Sequence, residues 1–139
     1  MIRLFIDTDV VLDFLLARQP FDQEARALWL ACAQRQAIGY VTPITPVNVF
    51  YVARKQLGII GARQLVTDIL SIMKICPLDQ TMVQAAHSLP MTDFEDAVQA
   101  AAAAAAGVDA LVTRNTTDYA NAPVPILTPA EMVARLAAA

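Results

Sequence analysis

A single histidine, His87, and two cysteines, Cys32 and Cys76, are all that this 139-residue chain offers of the softer metal ligands. Neither a CxxC pair nor a Cys/His ligand spacing occurs, which argues against a zinc centre and leaves both cysteines as reduced thiols of a core. Basic residues are not in excess: ten Lys and Arg stand against thirteen Asp and Glu, for a net charge of −3. The chain therefore lacks the overall electrostatic footprint of a nucleic-acid binder, and any phosphate-binding surface must be local. Long apolar runs are missing as well. Asp7, Asp9 and Asp13 break the N-terminal hydrophobic stretch, and no run approaches the ~20 residues that span a bilayer. No membrane association is expected, the early aspartate spoils a signal-peptide core, and a cytoplasmic protein fits. What is abundant is apolar material, 57% of residues, with only 17% charged. Such a composition supports a packed core, and the length suits one domain over residues 1–139.

Residues 2–6, IRLFI, are a short apolar run closed by Asp7, the pattern of a buried parallel strand. Helical spacing follows over residues 10–17 and 21–34, split by Gln19-Pro20. A second strand is expected at 38–41, then helices at 47–56 and 62–73 separated by Gly58. Strands at 74–77 and 109–113 enclose helices at 80–88 and 94–106, and 125–127 adds an edge strand. Thr128-Pro129-Ala130-Glu131 starts a last helix, with proline at the first position and a Thr-x-x-Glu box. Strands alternating with helices predict the α/β class, a three-layer α/β/α sandwich around a mainly parallel sheet. Open sheets of this kind bind ligands at the carboxyl ends of their strands.

Acids gather at that edge. Asp7 ends the first strand with its side chain in the crevice, while Asp9 suits an N-cap and Asp13 a solvated helix position. In Thr92-Asp93-Phe94-Glu95-Asp96, a capping box from Thr92 to Glu95 accounts for Glu95, and the helix dipole favours Asp93. Asp96 lies one position past the box, beside alanines that look buried, where a carboxylate without a counter-charge is costly. Thr113, Asn115 and Asp118 occupy a polar loop after the fourth strand, and taken alone they are ordinary turn chemistry. Three carboxylates from separate segments repel one another unless a hard cation neutralises them, and oxygen-only ligands suit Mg²⁺ or Mn²⁺.

Ile6-Asp7-Thr8-Asp9-Val10, Asp93-Phe94-Glu95-Asp96-Ala97 and Leu111-Val112-Thr113-Arg114-Asn115-Thr116-Thr117-Asp118-Tyr119 resemble, in this order, the PIN domain. Residues 124–131 resemble the end of its small bacterial, VapC-like members, so the resemblance covers nearly the whole chain. It implies an α/β/α metal-dependent ribonuclease, often the toxin of a toxin–antitoxin pair, with RNA as substrate, a small antitoxin as partner and a homodimer as assembly. Carried over by position, it implies catalytic and metal-binding roles for Asp7, Asp96 and Asp118, with Mg²⁺ or Mn²⁺ as cofactor. Asp9, Asn48, Asp93, Thr113 and Asn115 would support the site. One departure is Asn48, at a position where many members place glutamate. Asp9, where the family often has asparagine, offers a charge in partial exchange.

Under that reading a metal-bound water cleaves the phosphodiester, so the lone His87 is not needed as a base. Arg114, Arg54, Lys55 and Arg18 are the candidates for holding RNA phosphates, and a flexible single strand reaches an acidic crevice most easily. Two rivals remain. A domain degenerate at Asn48 would bind RNA or a protein without cutting, and Asp7-Thr8-Asp9 also resembles the first motif of haloacid-dehalogenase-type phosphatases, for which the chain is short.

Overall fold

The computed structural model describes residues 1–139 and carries five strands, six α-helices and one short 3-10 helix, Thr116–Tyr119. β1 (Ile2–Ile6), β2 (Ala37–Val41), β3 (Lys74–Ile75), β4 (Ala110–Val112) and β5 (Ile126–Leu127) form one sheet in the order β3-β2-β1-β4-β5. Every neighbouring pair is parallel; Leu4, for example, lies opposite Gly39 on one side and Ala110 on the other. Parallel strands need long crossovers. These carry α1 (Thr8–Leu15), α2 (Asp22–Ala33), α3 (Ile44–Ile72), α4 (Gln80–His87) and α5 (Phe94–Ala106), and α6 (Pro129–Ala138) closes the chain. The architecture is the expected three-layer α/β/α sandwich.

Alternation along β1 divides the core between the two faces. Leu4 and Ile6 join Val11 of α1, Leu28 of α2, Ile69 of α3 and Met132 of α6 in one cluster. Phe5 belongs to the other, with Tyr40, Leu111 and the buried Ala100 and Ala103 of α5. Full burial of each large side chain contributes about 1.5–3 kcal/mol. The alanine run lets α5 lie close on the sheet, and α4 packs outside it through Ala86 against Ala97, Val98 and Ala101. Trp29 is buried and stacks on Phe14 at 5.0 Å, so it belongs to the core. Both cysteines are buried thiols.

The expected pair of helices is found as the two arms of α3, which meet at a break in helical geometry at Gly58. Gly58 takes φ 73°, a left-handed value that glycine adopts without strain, and the second arm folds back until the Arg63 guanidinium lies 5.9 Å from the Phe50 ring. The capping box of α6 is present: Glu131 N donates to Thr128 Oγ1 at 3.1 Å, and Thr128 N donates to Glu131 Oε1 at 2.8 Å. That of α5 is not. Asp93, and not Thr92, caps the helix, accepting from Asp96 N at 2.9 Å, which releases Glu95 from the capping role. No helix is long and apolar enough to cross a membrane.

β1 is flanked by β2, the next strand in the chain, on one side and by β4 on the other. The direction of winding thus changes between β1 and β4, where parallel sheets leave a crevice at their carboxyl ends. Asp7 follows β1 there, and Thr113 follows β4.

Candidate active site

Asp7 is fixed by its backbone. Its N–H donates to Val112 O at 3.0 Å, continuing the sheet, while its carbonyl accepts from Val10 and Val11 to start α1. As N-cap of α1 it makes no side-chain capping bond, so the carboxylate is free to serve the crevice. It is only 4% exposed. Gln99 Nε2 donates to its Oδ1 at 2.9 Å, and Thr113 Oγ1 donates to its Oδ2 at 2.8 Å. The Gln99 amide also donates to Tyr119 Oη at 2.7 Å, and the Tyr119 hydroxyl donates to Asp96 Oδ1 at 3.1 Å. A continuous chain therefore links Asp7 to Asp96 through two neutral groups, and each bond has a donor and an acceptor. Gln99 is held in turn by Thr8, whose N–H and hydroxyl donate to Gln99 Oε1 at 3.1 and 3.0 Å.

Neither Gln99 nor Tyr119 was expected from the sequence. The one signal is a buried amide in an alanine helix, three residues after Asp96 and hence on the same face.

The crevice has a volume of about 480 Å³ and is lined by six acids, Asp7, Asp9, Asp93, Glu95, Asp96 and Asp118, against two cations, Arg54 and Lys55. Asn48, Asn115 and Thr8 add neutral polar groups to its lining. Burial pushes the Asp7 carboxyl above its usual range, opposed by the Gln99 and Thr113 hydrogen bonds. Asp96 is pushed up to about 7, first by burial and then by the charges of Asp7 and Asp93. Burial also raises Glu95, partly offset by the hydrogen bond from Asn48. It raises Tyr119 further still, which keeps that phenol protonated as a donor to Asp96. No lysine or arginine lies within salt-bridge distance of Asp7, Asp93, Glu95, Asp96 or Asp118. No three of the carboxylates close on one point as a ready cage. An oxygen-only donor set of this kind fits Mg²⁺ or Mn²⁺ holding part of its water shell.

The expected residues divide clearly. Asp7, Asp9, Asp93, Asp96, Asn115, Asp118, Asn48, Arg54 and Lys55 line the crevice, and Thr113 lies beneath Asp7 as a donor. Asp9 sits in the first turn of α1 and is not its N-cap. Arg18 stands 3.8 Å from both Asp9 and Asp13. Arg114 is committed elsewhere: its Nε and Nη2 donate to Asp13 at 2.7 and 3.1 Å, and its guanidinium covers the Phe21 ring at 4.1 Å. Asp13, expected to be solvated, is 1% exposed, and Arg114 is its counter-charge. His87 lies edge-on to Phe94 and does not line the crevice.

Arg114→Ala is accordingly a stability variant. Removing the hydrogen-bonded partner of a buried carboxylate costs roughly 3–5 kcal/mol for a fully enclosed pair; with Arg114 26% exposed and Arg18 still 3.8 Å from Asp13, the expected loss is about 2–3 kcal/mol, read as a lower urea midpoint.

The fold and the site define an α/β/α domain with an acidic, oxygen-lined crevice at the switch point of a parallel sheet. The sequence profile of the PIN domain matches residues 3–117, and the chain belongs to that family. This membership sets aside the phosphatase alternative. Among solved structures, a chain of the DNA-bound VapBC complex from Salmonella typhimurium is similar with a TM-score of 0.71 at 18% identity, covering 93% of this chain and 99% of that one. A chain of a toxin–antitoxin complex from Klebsiella pneumoniae gives 0.67 at 22% identity, with 91% and 97% covered. Mycobacterium tuberculosis VapC20, described as a Sarcin-Ricin loop cleaving toxin, gives 0.62 at 14% identity, with 78% and 86% covered. No protein with a curated description matches the chain.

Proposed function

We propose that the protein is a Mg²⁺- or Mn²⁺-dependent endoribonuclease and the toxin half of a toxin–antitoxin pair. The observation that carries this reading is the joining of Asp7 and Asp96, from β1 and α5, by Gln99 and Tyr119 at the floor of a crevice with a large excess of acids. Asp7, Asp96 and Asp118 would hold the ion, which when bound supplies a water of lowered pKa and a Lewis acid for the phosphate. Gln99 and Thr113 aim Asp7, and Tyr119 aims Asp96. Such partners typically contribute 10–100-fold in metal affinity or activity. Arg54 and Lys55 are the cations that can meet the RNA backbone at the crevice. The toxin–antitoxin complexes among the similar structures support a small protein partner, and the resemblance to the VapC-like subtype supports a homodimer.

The test is cleavage of a panel of labelled RNAs by purified protein with Mg²⁺, with Mn²⁺ and with EDTA. Cutting that requires the ion is expected; binding without cutting under every condition would turn the reading toward a degenerate domain. Replacing Arg54 and Lys55 together by alanine is expected to weaken RNA binding across sequences and to reduce the salt dependence by about one unit of slope per lost phosphate contact. Fluorescence anisotropy against salt concentration measures it, with Mn²⁺ affinity nearly unchanged.

A further inference from the structure

The side-chain amide of Asn48, on α3, donates to Glu95 Oε2, on α5. We propose that Glu95 is a fourth carboxylate directed at the metal and that Asn48 is the positioning residue that holds it there, an inference that rests on the cation site proposed above.

Four features of the structure support it. Glu95 has no capping task, because Asp93 takes the exposed N–H of Asp96 and Glu95 accepts from no backbone group. A first-turn glutamate with nothing to bind is expected to extend into water, where its charge is solvated at no cost. Glu95 is instead half-buried in the lining of a crevice with Asp7, Asp9, Asp93, Asp96 and Asp118, all of its own sign. A carboxylate held against such repulsion needs a compensating partner.

Its one hydrogen-bond partner, Asn48, is neutral. Lysine or arginine at position 48 would cancel the charge, whereas the Asn48 amide fixes Oε2, leaves Oε1 without a protein donor and preserves the full negative charge. Asn48 is also on the helix that brings Arg54 and Lys55 to the same crevice, so one element places the partner of the acid and the two cations.

The test is isothermal titration with Mn²⁺ on the full chain, comparing wild type with Glu95→Gln, Asn48→Ala, the double variant Asn48→Asp/Glu95→Gln, and Asp96→Asn. Glu95→Gln is expected to raise the Mn²⁺ dissociation constant by about 10-fold or more, and Asn48→Ala by about 10-fold. The double variant keeps both shapes and reverses the polarity of the hydrogen bond, returning the charge from residue 48. It is expected to recover affinity to within about threefold of wild type. Thermal melts without metal accompany each titration, since a purely structural role for Glu95 changes stability and leaves the Mn²⁺ constant alone. Wild-type affinity in Glu95→Gln, with affinity lost in Asp96→Asn, overturns the inference and leaves the cation site standing. Absence of Mn²⁺ binding by folded wild-type protein overturns both.

Discussion

Asp7→Asn is expected to abolish metal-dependent RNA cleavage while leaving the metal-free fold as stable as wild type, or more so. The two effects should separate because the charge of Asp7 would serve the proposed cation while it opposes the fold. Burial raises its pKa, so the ionised form is disfavoured in the protein relative to water. Asparagine fills the same space and keeps one acceptor for Thr113 or Gln99, and the Thr113 hydroxyl can rotate to accept from the new amide. Removing an ion ligand should cost more than losing a partner that merely orients one, hence more than about 100-fold in kcat/KM. Urea midpoints and cleavage rates measured on the same preparations check it. A carboxylate retained for stability alone would give the opposite signature, a lower midpoint with activity falling only as far as the folded fraction does. Stability gained where function is lost is the pattern of a strained site.

The second large effect is on pH dependence. Asp96 is raised to about 7, by burial first and by Asp7 and Asp93 next; Asp7 and Glu95 are raised as well, burial again leading. A carboxyl whose folded value lies above its unfolded value binds its proton more tightly when folded, so its contribution is complete below the ordinary carboxylate range. That contribution is lost as pH rises through the folded value. The metal-free protein should therefore become less stable between about pH 4 and pH 7. Asp96 is half-exposed, so solvent screening reduces the effect to on the order of 1 kcal/mol, or about 3 °C in Tm for a chain of this size. On the proposed reading Mn²⁺ would take the place of the protons, so its stabilisation should grow over the same interval and be largest near pH 8. Melts at pH 5.5, 7 and 8, with EDTA or Mn²⁺, should show the two Tm curves diverging. Asp96→Asn should flatten the EDTA curve and remove most of the divergence; parallel curves in wild type would contradict this.

Much of this architecture is written locally in the chain. The apolar run ending at Asp7, the proline and glycine boundaries and the Thr128 box each act over a few residues, and the structure repeats them closely. The helix at residues 94–106 is found at the expected bounds. What escaped the sequence depends on contacts between distant residues or on one-residue choices. Gln99 is 92 residues from Asp7, and in sequence it is one polar position in a run of alanines. Arg114 and Asp13 are 101 apart, so nothing local shows that the arginine is used up and the aspartate buried. The start of α5 turns on one residue: Thr92-x-x-Glu95 and Asp93-x-x-Asp96 both satisfy cap spacing, and the use of Asp93 turns Glu95 from a capping group into a lining of the crevice.

Whether the crevice holds a divalent cation is the claim on which the rest depends, and anomalous diffraction from crystals equilibrated with Mn²⁺ tests it most directly. An anomalous peak among the carboxylates of Asp7, Asp96 and Asp118, lost in Asp96→Asn crystals, is the predicted result. A crevice without a peak in well-diffracting crystals at saturating Mn²⁺, or a peak confined to other acids of the surface, would contradict it.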